Sequence, residues 1–243
     1  MTNCKIFIIS VFVALTLSLS AKDYKASLFG VKSDGVTVNT GSIQYAINYI
    51  SKNGGGTLQF YVGRYLTGTF EMKPNVTIEL KEGAVLVASH SIYDYLDISG
   101  TKALILADSI DNIGITGKGV IDGNGMAVLK SIDEQKQKGY IDEKEAGRKP
   151  ALVHFNACKN VKTEGIIWSD ACGVAQVYTG CTDVEIKGLT VQCPNNGIVL
   201  SGCNGCKISD SYFETSGREV SKTGANKGVS IVNCTNSKGK KIK

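Results

Sequence analysis

The chain has no hydrophobic run long enough to anchor it in a membrane. Its most apolar stretch, residues 6–17, falls short of the roughly 18 residues that a spanning helix requires, and no later segment approaches that length. A basic stripe interleaved with aromatics is also missing. The formal charge is +5, from 27 Lys and Arg against 22 Asp and Glu. That mild excess gives no sign of nucleic acid and permits attraction to an acidic polymer. No cluster of carboxylates is spaced to hold calcium. Cys203 and Cys206 have the spacing of a zinc or redox motif, but neither a second pair nor a nearby histidine completes it. No metal site is expected.

What is present begins with an export signal. Lys5 in a short polar segment, the apolar run, and then Ser18, Ser20 and Ala21 make the pattern of a secretory signal peptide over residues 1–20. Cys4 precedes the apolar run instead of following it, which argues against a lipoprotein cleavage site, so no lipid or membrane anchor is expected. Residues 21–243 are then a soluble secreted or periplasmic protein, of a size that suits one domain. Loss of Lys5 leaves a charge of +4, and loss of Cys4 leaves seven of the eight cysteines, an odd number for an oxidising compartment.

Four stretches late in the chain repeat. Val161, Val184, Cys206 and Val229 recur every 22 or 23 residues, Thr163, Ile186, Ile208 and Ile231 follow two residues on, and Cys158, Cys181, Cys203 and Asn226 precede by three. Alternating apolar and polar residues at this period, between Gly, Asn and Ser turns, predict an all-β solenoid: a right-handed parallel β-helix in which each coil stacks on the last. Its strands lie about 4.8 Å apart, which brings like residues into ladders. The cysteine column then reads as small buried packing residues, with bridges between coils left open as an alternative.

Ile43, Ala46, Ile47 and Ile50 fall at helical spacing and predict an amphipathic helix capping the N-terminal end of the stack. The first strand is expected at residues 57–62, and others at residues 75–80, 84–88, 103–107 and 112–115. Residues 126–149 break the rhythm with Asp133, Glu134, Lys136, Lys138 and Glu143, and predict a charged helical hairpin or loop leaving the stack, either solvated surface or the wall of a cleft. Nothing after Ile231 reads as a cap. The tail from Asn236 is polar and lysine-rich, so the last coil, from about Lys207 to Cys234, is expected either to exchange its amide hydrogens faster than the coils around Val161 or to be shielded by self-association at an uncapped C-terminal end.

Several pieces in order resemble one family. They are Leu28-Phe29-Gly30-Val31-Lys32-Ser33-Asp34-Gly35, the Asn53-Gly54-Gly55-Gly56-Thr57 turn with Gly63-Arg64-Tyr65, Val76-Thr77-Ile78 with Glu82-Gly83-Ala84, and Gly117-Lys118-Gly119-Val120-Ile121-Asp122-Gly123. Together they are similar to glycoside hydrolase family 28, the polygalacturonase-like members of the pectin-lyase-like group of right-handed parallel β-helices. The resemblance implies a secreted enzyme that cleaves pectic or related uronic-acid polysaccharide by inverting hydrolysis, without a cofactor. An acid protonates the leaving oxygen while a carboxylate activates water on the opposite face of the sugar.

The chain departs from that pattern where the carboxylates belong. The family's Asn-Thr-Asp or Asn-Asn-Asp followed by Gly-Ile corresponds to Asn195-Asn196-Gly197-Ile198, without the aspartate. The paired aspartates expected one coil later fall near Gly217-Arg218-Glu219, where only Glu219 is acidic. No Gly-His-Gly follows, and Lys241-Ile242-Lys243 reads as polar tail. Losing a general acid or base costs about a hundredfold to ten-thousandfold in rate, so the chain is expected to be a C-terminally truncated or degenerate member with weak or absent hydrolysis.

Each remaining candidate has two readings. Glu219 is a catalytic acid or base, or a surface glutamate in a turn. Asn195 and Asn196 hold sugar hydroxyls, or form a structural ladder. Arg218 and Lys222 pair with uronate carboxylates, or face water. Asp210 and Glu214 read as turn caps, His154 as a hydrogen-bonded strand residue, and Trp168 as core. The alternatives in function are a non-catalytic module that binds acidic polysaccharide and a pectate-lyase-type eliminase.

Overall fold

A computed structural model describes residues 22–243; the segment expected to be a signal peptide, Cys4 included, lies outside them. The chain winds through three sheets of eight, seven and seven strands, parallel except for one antiparallel strand in the third, and successive coils add strands to the sheets in turn. This is the right-handed parallel β-helix the repeat predicts. Strands of the first sheet include Val76–Leu80, Asp111–Gly117, Lys159–Glu164, Thr182–Lys187 and Asn204–Ser209.

The predicted ladders are in register. Val161 pairs with Val184 and Val184 with Cys206, all three buried, and the neighbouring column runs Ile78, Ile115, Thr163, Ile186, Ile208 and Ile231. Val229 is only partly buried against the core, because it belongs to the last coil. The second sheet supplies another inward column, Tyr65, Leu86, Ile121, Trp168, Val191 and Phe213. Burying each such side chain is worth roughly 1.5–3 kcal/mol, so the stack is held by burial along its whole length.

The turns repeat as well as the strands. Asn75, Asn112, Asn160 and Asp183 occupy one turn position at φ 62°, 57°, 53° and 55°, and Gly205 and Gly228 continue it at 71° and 60°. Only short polar residues or glycine take this left-handed backbone readily. The asparagine side chains link coils, Asn112 Nδ2 donating to Asn75 Oδ1 at 2.9 Å and Asn160 Nδ2 to Asn112 Oδ1 at 2.7 Å.

The cysteine column has a physical explanation in hydrogen bonding. The Cys181 thiol donates to the carbonyls of Phe155 and Thr179, and the Cys203 thiol to those of Tyr178 and Ser201. Asn226 takes the same place one coil on and donates to Leu200 and Thr223. The column therefore needs a small donor at the turn, and the seven described cysteines are buried free thiols.

Helix α1, Thr40–Lys52, buries Ile43, Ala46, Ile47 and Ile50 over the N-terminal end, as their spacing predicts. The stack begins earlier than expected, with Asp23–Lys25 pairing in parallel with the strand Gly56–Phe60. A three-residue strand carrying two charges leaves no hydrophobic alternation to read, and only its pairing register reveals it.

The tail also differs from the expected polar extension. Thr235 pairs antiparallel with Lys241, Ile242 N–H donates to the Cys234 carbonyl at 2.9 Å, and the Ile242 side chain packs on the core. Asn236 Oδ1 fixes the reversal by accepting from the N–H groups of Lys238 and Lys240 at 3.1 and 3.0 Å. One isoleucine among lysines is too little apolar signal to announce such a strap.

Candidate functional site

Two insertions leave the stack at the turn between the second and third sheets. In the early coils that turn carries the strand Leu96–Ile98, antiparallel to Thr101–Asp108, and then the excursion, which folds as helices α2, Gly125–Gln137, and α3, Glu143–Ala146. Val128 and Ile132 seat α2 against the core. Arg148 clamps the two insertions together, reaching Asp97 at 2.6 Å and Glu145 at 2.9 Å, while Lys102 pairs with Glu145 from the neighbouring strand. These carboxyls are held below the ordinary range, Asp97 chiefly by Arg148 and Glu145 chiefly by Lys102.

In later coils the same turn is short, and the clamped insertions stand beside it as a wall. Between wall and turns runs a groove of about 430 Å³, lined by Gly147 and Lys149 from the excursion and by Gly173, Asn195, Asn196 and Gly217 from successive coils. The excursion is thus a cleft wall as well as solvated surface. Gly173 N–H donates to the Pro150 carbonyl at 3.0 Å, and a Cβ on Gly173 would come within 2.7 Å of the Lys149 carbonyl. Glycine is what lets the excursion return so close to the stack.

Asn195 and Asn196 bridge coils at the groove floor. Asn195 Nδ2 donates to the Cys172 carbonyl at 2.9 Å, and Asn196 Oδ1 accepts from Arg218 N–H at 2.8 Å. Half of each amide is committed to structure. Asn195 Oδ1 and Asn196 Nδ2 have no protein partner among the described residues and are free for a ligand's hydroxyls.

Glu219 lies beyond the groove. It lines an adjoining cavity of about 450 Å³ with Arg218, Asn236, Lys240, Lys241 and Lys243. Glu219 Oε1 accepts from Asn236 Nδ2 at 2.7 Å, and this bond, with Lys240 and Lys238 nearby, holds the carboxyl below its ordinary value. Its carboxylate therefore clasps the strap. Lys222 is placed apart, at an inward register position above Leu200, Tyr178 and Phe155, yet exposed on the last coil. The structure brings Asn195, Asn196, Arg218 and Glu219 onto one flank and sets Lys222 away from them.

The other candidates are structural. Asp210 accepts from Asn233 at 2.8 Å and Glu214 from Gln192 at 3.1 Å, both linking neighbouring coils. Trp168 is fully buried in its inward column. His154 is buried on the outer side of the third sheet, its Nε2 3.3 Å from Thr179 Oγ1, and burial pushes its pKa down. Sequence reasoning missed two things: Lys149, hidden inside a segment read by its overall charge, and the strap that meets Glu219.

A single chain wound as three sheets of stacked coils, with a groove along one flank, defines a parallel β-helix protein. A sequence profile of glycosyl hydrolases family 28 matches residues 58–242, and the chain belongs to that family. It is 30% identical to a probable polygalacturonase of Vitis vinifera, over 81% of this chain and 43% of that one. It is 32% identical to an exo-poly-alpha-D-galacturonosidase of Dickeya chrysanthemi, over 82% of this chain and 33% of that one. The chain thus spans less than half the length of these relatives. A crystal structure of a proposed glycosyl hydrolase from Parabacteroides merdae superposes with TM-score 0.86 at 45% identity, covering 91% of this chain and 99% of that one. The family 28 exopolygalacturonase of Yersinia enterocolitica shares the fold, with TM-score 0.78 at 21% identity over 89% of this chain and 49% of that one.

Proposed function

We propose that this chain is an exported polygalacturonase-like β-helix whose groove holds a pectic or related uronic-acid polysaccharide, and that it cleaves this ligand by inverting hydrolysis feebly or not at all. The observation that carries the reading is the chemistry of the groove. Its lining offers amides, glycine backbone and one cation, and no carboxylate. Inverting hydrolysis needs a protonated acid and a carboxylate base about 6.5–9.5 Å apart on opposite sides of the sugar. Glu219 is the one acid of the adjoining cavity, and its carboxyl is shifted away from what a proton donor needs. Binding survives such a loss, because amide and ammonium contacts to a sugar acid do not require proton transfer.

The test uses the signal-free chain with polygalacturonate. Retention on the immobilised polymer with reducing ends barely above background is expected, without the ultraviolet absorbance of an unsaturated product. Robust release of reducing ends that disappears in Glu219→Gln would overturn the degenerate-site reading and make Glu219 an acid or base. Export rests on residues 1–20 and is checked by fractionating cells that express the whole sequence. Self-association through the last coil is part of the same reading, and it has to work against the positive charge of Arg218, Lys240, Lys241 and Lys243 around one cavity there. Light scattering across a dilution series decides it.

A further inference from the structure

We propose that Lys149 is the specificity-determining cation of the groove: it meets a ring carboxylate of the bound sugar acid and makes the site discriminate free uronate from its neutral ester. The inference rests on the groove reading above. Lys149 is the one charged side chain lining this groove. Its neighbour Arg148 is consumed by Asp97 and Glu145, whereas Lys149 takes part in no ion pair among the described residues. An unpaired ammonium beside two half-free amides matches a sugar acid, which presents hydroxyls and one carboxylate per ring.

The backbone carrying this cation is positioned. On one side Arg148 is clamped to both insertions, and on the other the Pro150 carbonyl accepts from Gly173 N–H on the next coil. Lys149 therefore projects from a fixed anchor, although its own side chain is exposed. A long flexible stem on a fixed anchor suits successive carboxylates of a polymer that is not held in one register.

Titration calorimetry of the signal-free chain with a short oligogalacturonate and with its fully methyl-esterified form tests the assignment. The wild type is expected to prefer the acid. Lys149→Gln should weaken acid binding about tenfold and leave the ester unchanged, as loss of one charge-assisted hydrogen bond predicts. Lys149→Arg should retain the preference, and Lys187→Gln, a charge change on the first sheet, should leave it intact. Full acid preference in Lys149→Gln overturns the assignment of Lys149 while leaving the groove reading standing. A wild type that binds both forms equally does the same. A wild type that binds neither overturns the groove reading and this inference with it.

Discussion

The first sheet and the turn between the second and third sheets belong to the same coils, yet they obey different rules. In the first sheet each residue sits on its equivalent from the coil before, so Val161, Val184 and Cys206 differ little and are held alike. At the turn, one coil carries α2 and α3, another the hairpin of Leu96–Ile98, and later coils a few residues. Stability lives in the repeated part, where burial is uniform. The groove lies where the repeat fails, because only unequal turns leave room for it.

That division is testable. The largest effect is expected in the stack: Trp168→Ala empties a fully buried column position and should cost about 3–5 kcal/mol in urea denaturation. Tyr140→Ala, on the excursion and 70% exposed, should stay within about 0.5 kcal/mol. Equal losses would mean that the excursion is as much a part of the core as the coils are.

A smaller effect sharpens the account of the cysteine column. Asn226→Ala removes the donors to Leu200 and Thr223 and the acceptor for Cys203 N–H, and should cost about 1–2 kcal/mol. Asn226→Cys should recover part of that loss, since a thiol serves the same carbonyls in the coils below. If cysteine did no better than alanine, the column would be selected for packing alone.

The smallest effect concerns the strap. The Glu219 carboxyl lies below its unperturbed value of 4.5 in the folded chain, so its hold on Asn236 is fully present above that pH. The hold is lost as pH falls through the lowered folded-state value. Limited proteolysis of residues 236–243 should therefore quicken below about pH 4.5, and Glu219→Gln should flatten that dependence. An unchanged acid profile in the variant would detach Glu219 from the strap.

The two regions also differ in how much of them is legible beforehand. Ladders, the turn asparagines and α1 can be read directly, since each is set by local periodicity repeated many times. For Asn195, Asn196 and Glu219 the sequence marks the positions, yet it is silent on what their side chains touch. Asn196 meets Arg218 from 22 residues away, and Glu219 meets Asn236 from 17. Lys149 carries no signal at all, being one lysine among many in a charged segment.

By itself the sequence determined a β-helix and its capping helix. These follow from hydrophobic period and residue identity, which act within a coil and between like positions of adjacent coils. The groove, its single cation and the use of Glu219 as a clasp were decided by tertiary structure alone. They depend on where Arg148 and Gly173 bring the excursion back onto the stack, and on a strap whose course is set by Asn236. Such contacts join residues with no common period, so nothing short of the folded chain places them together.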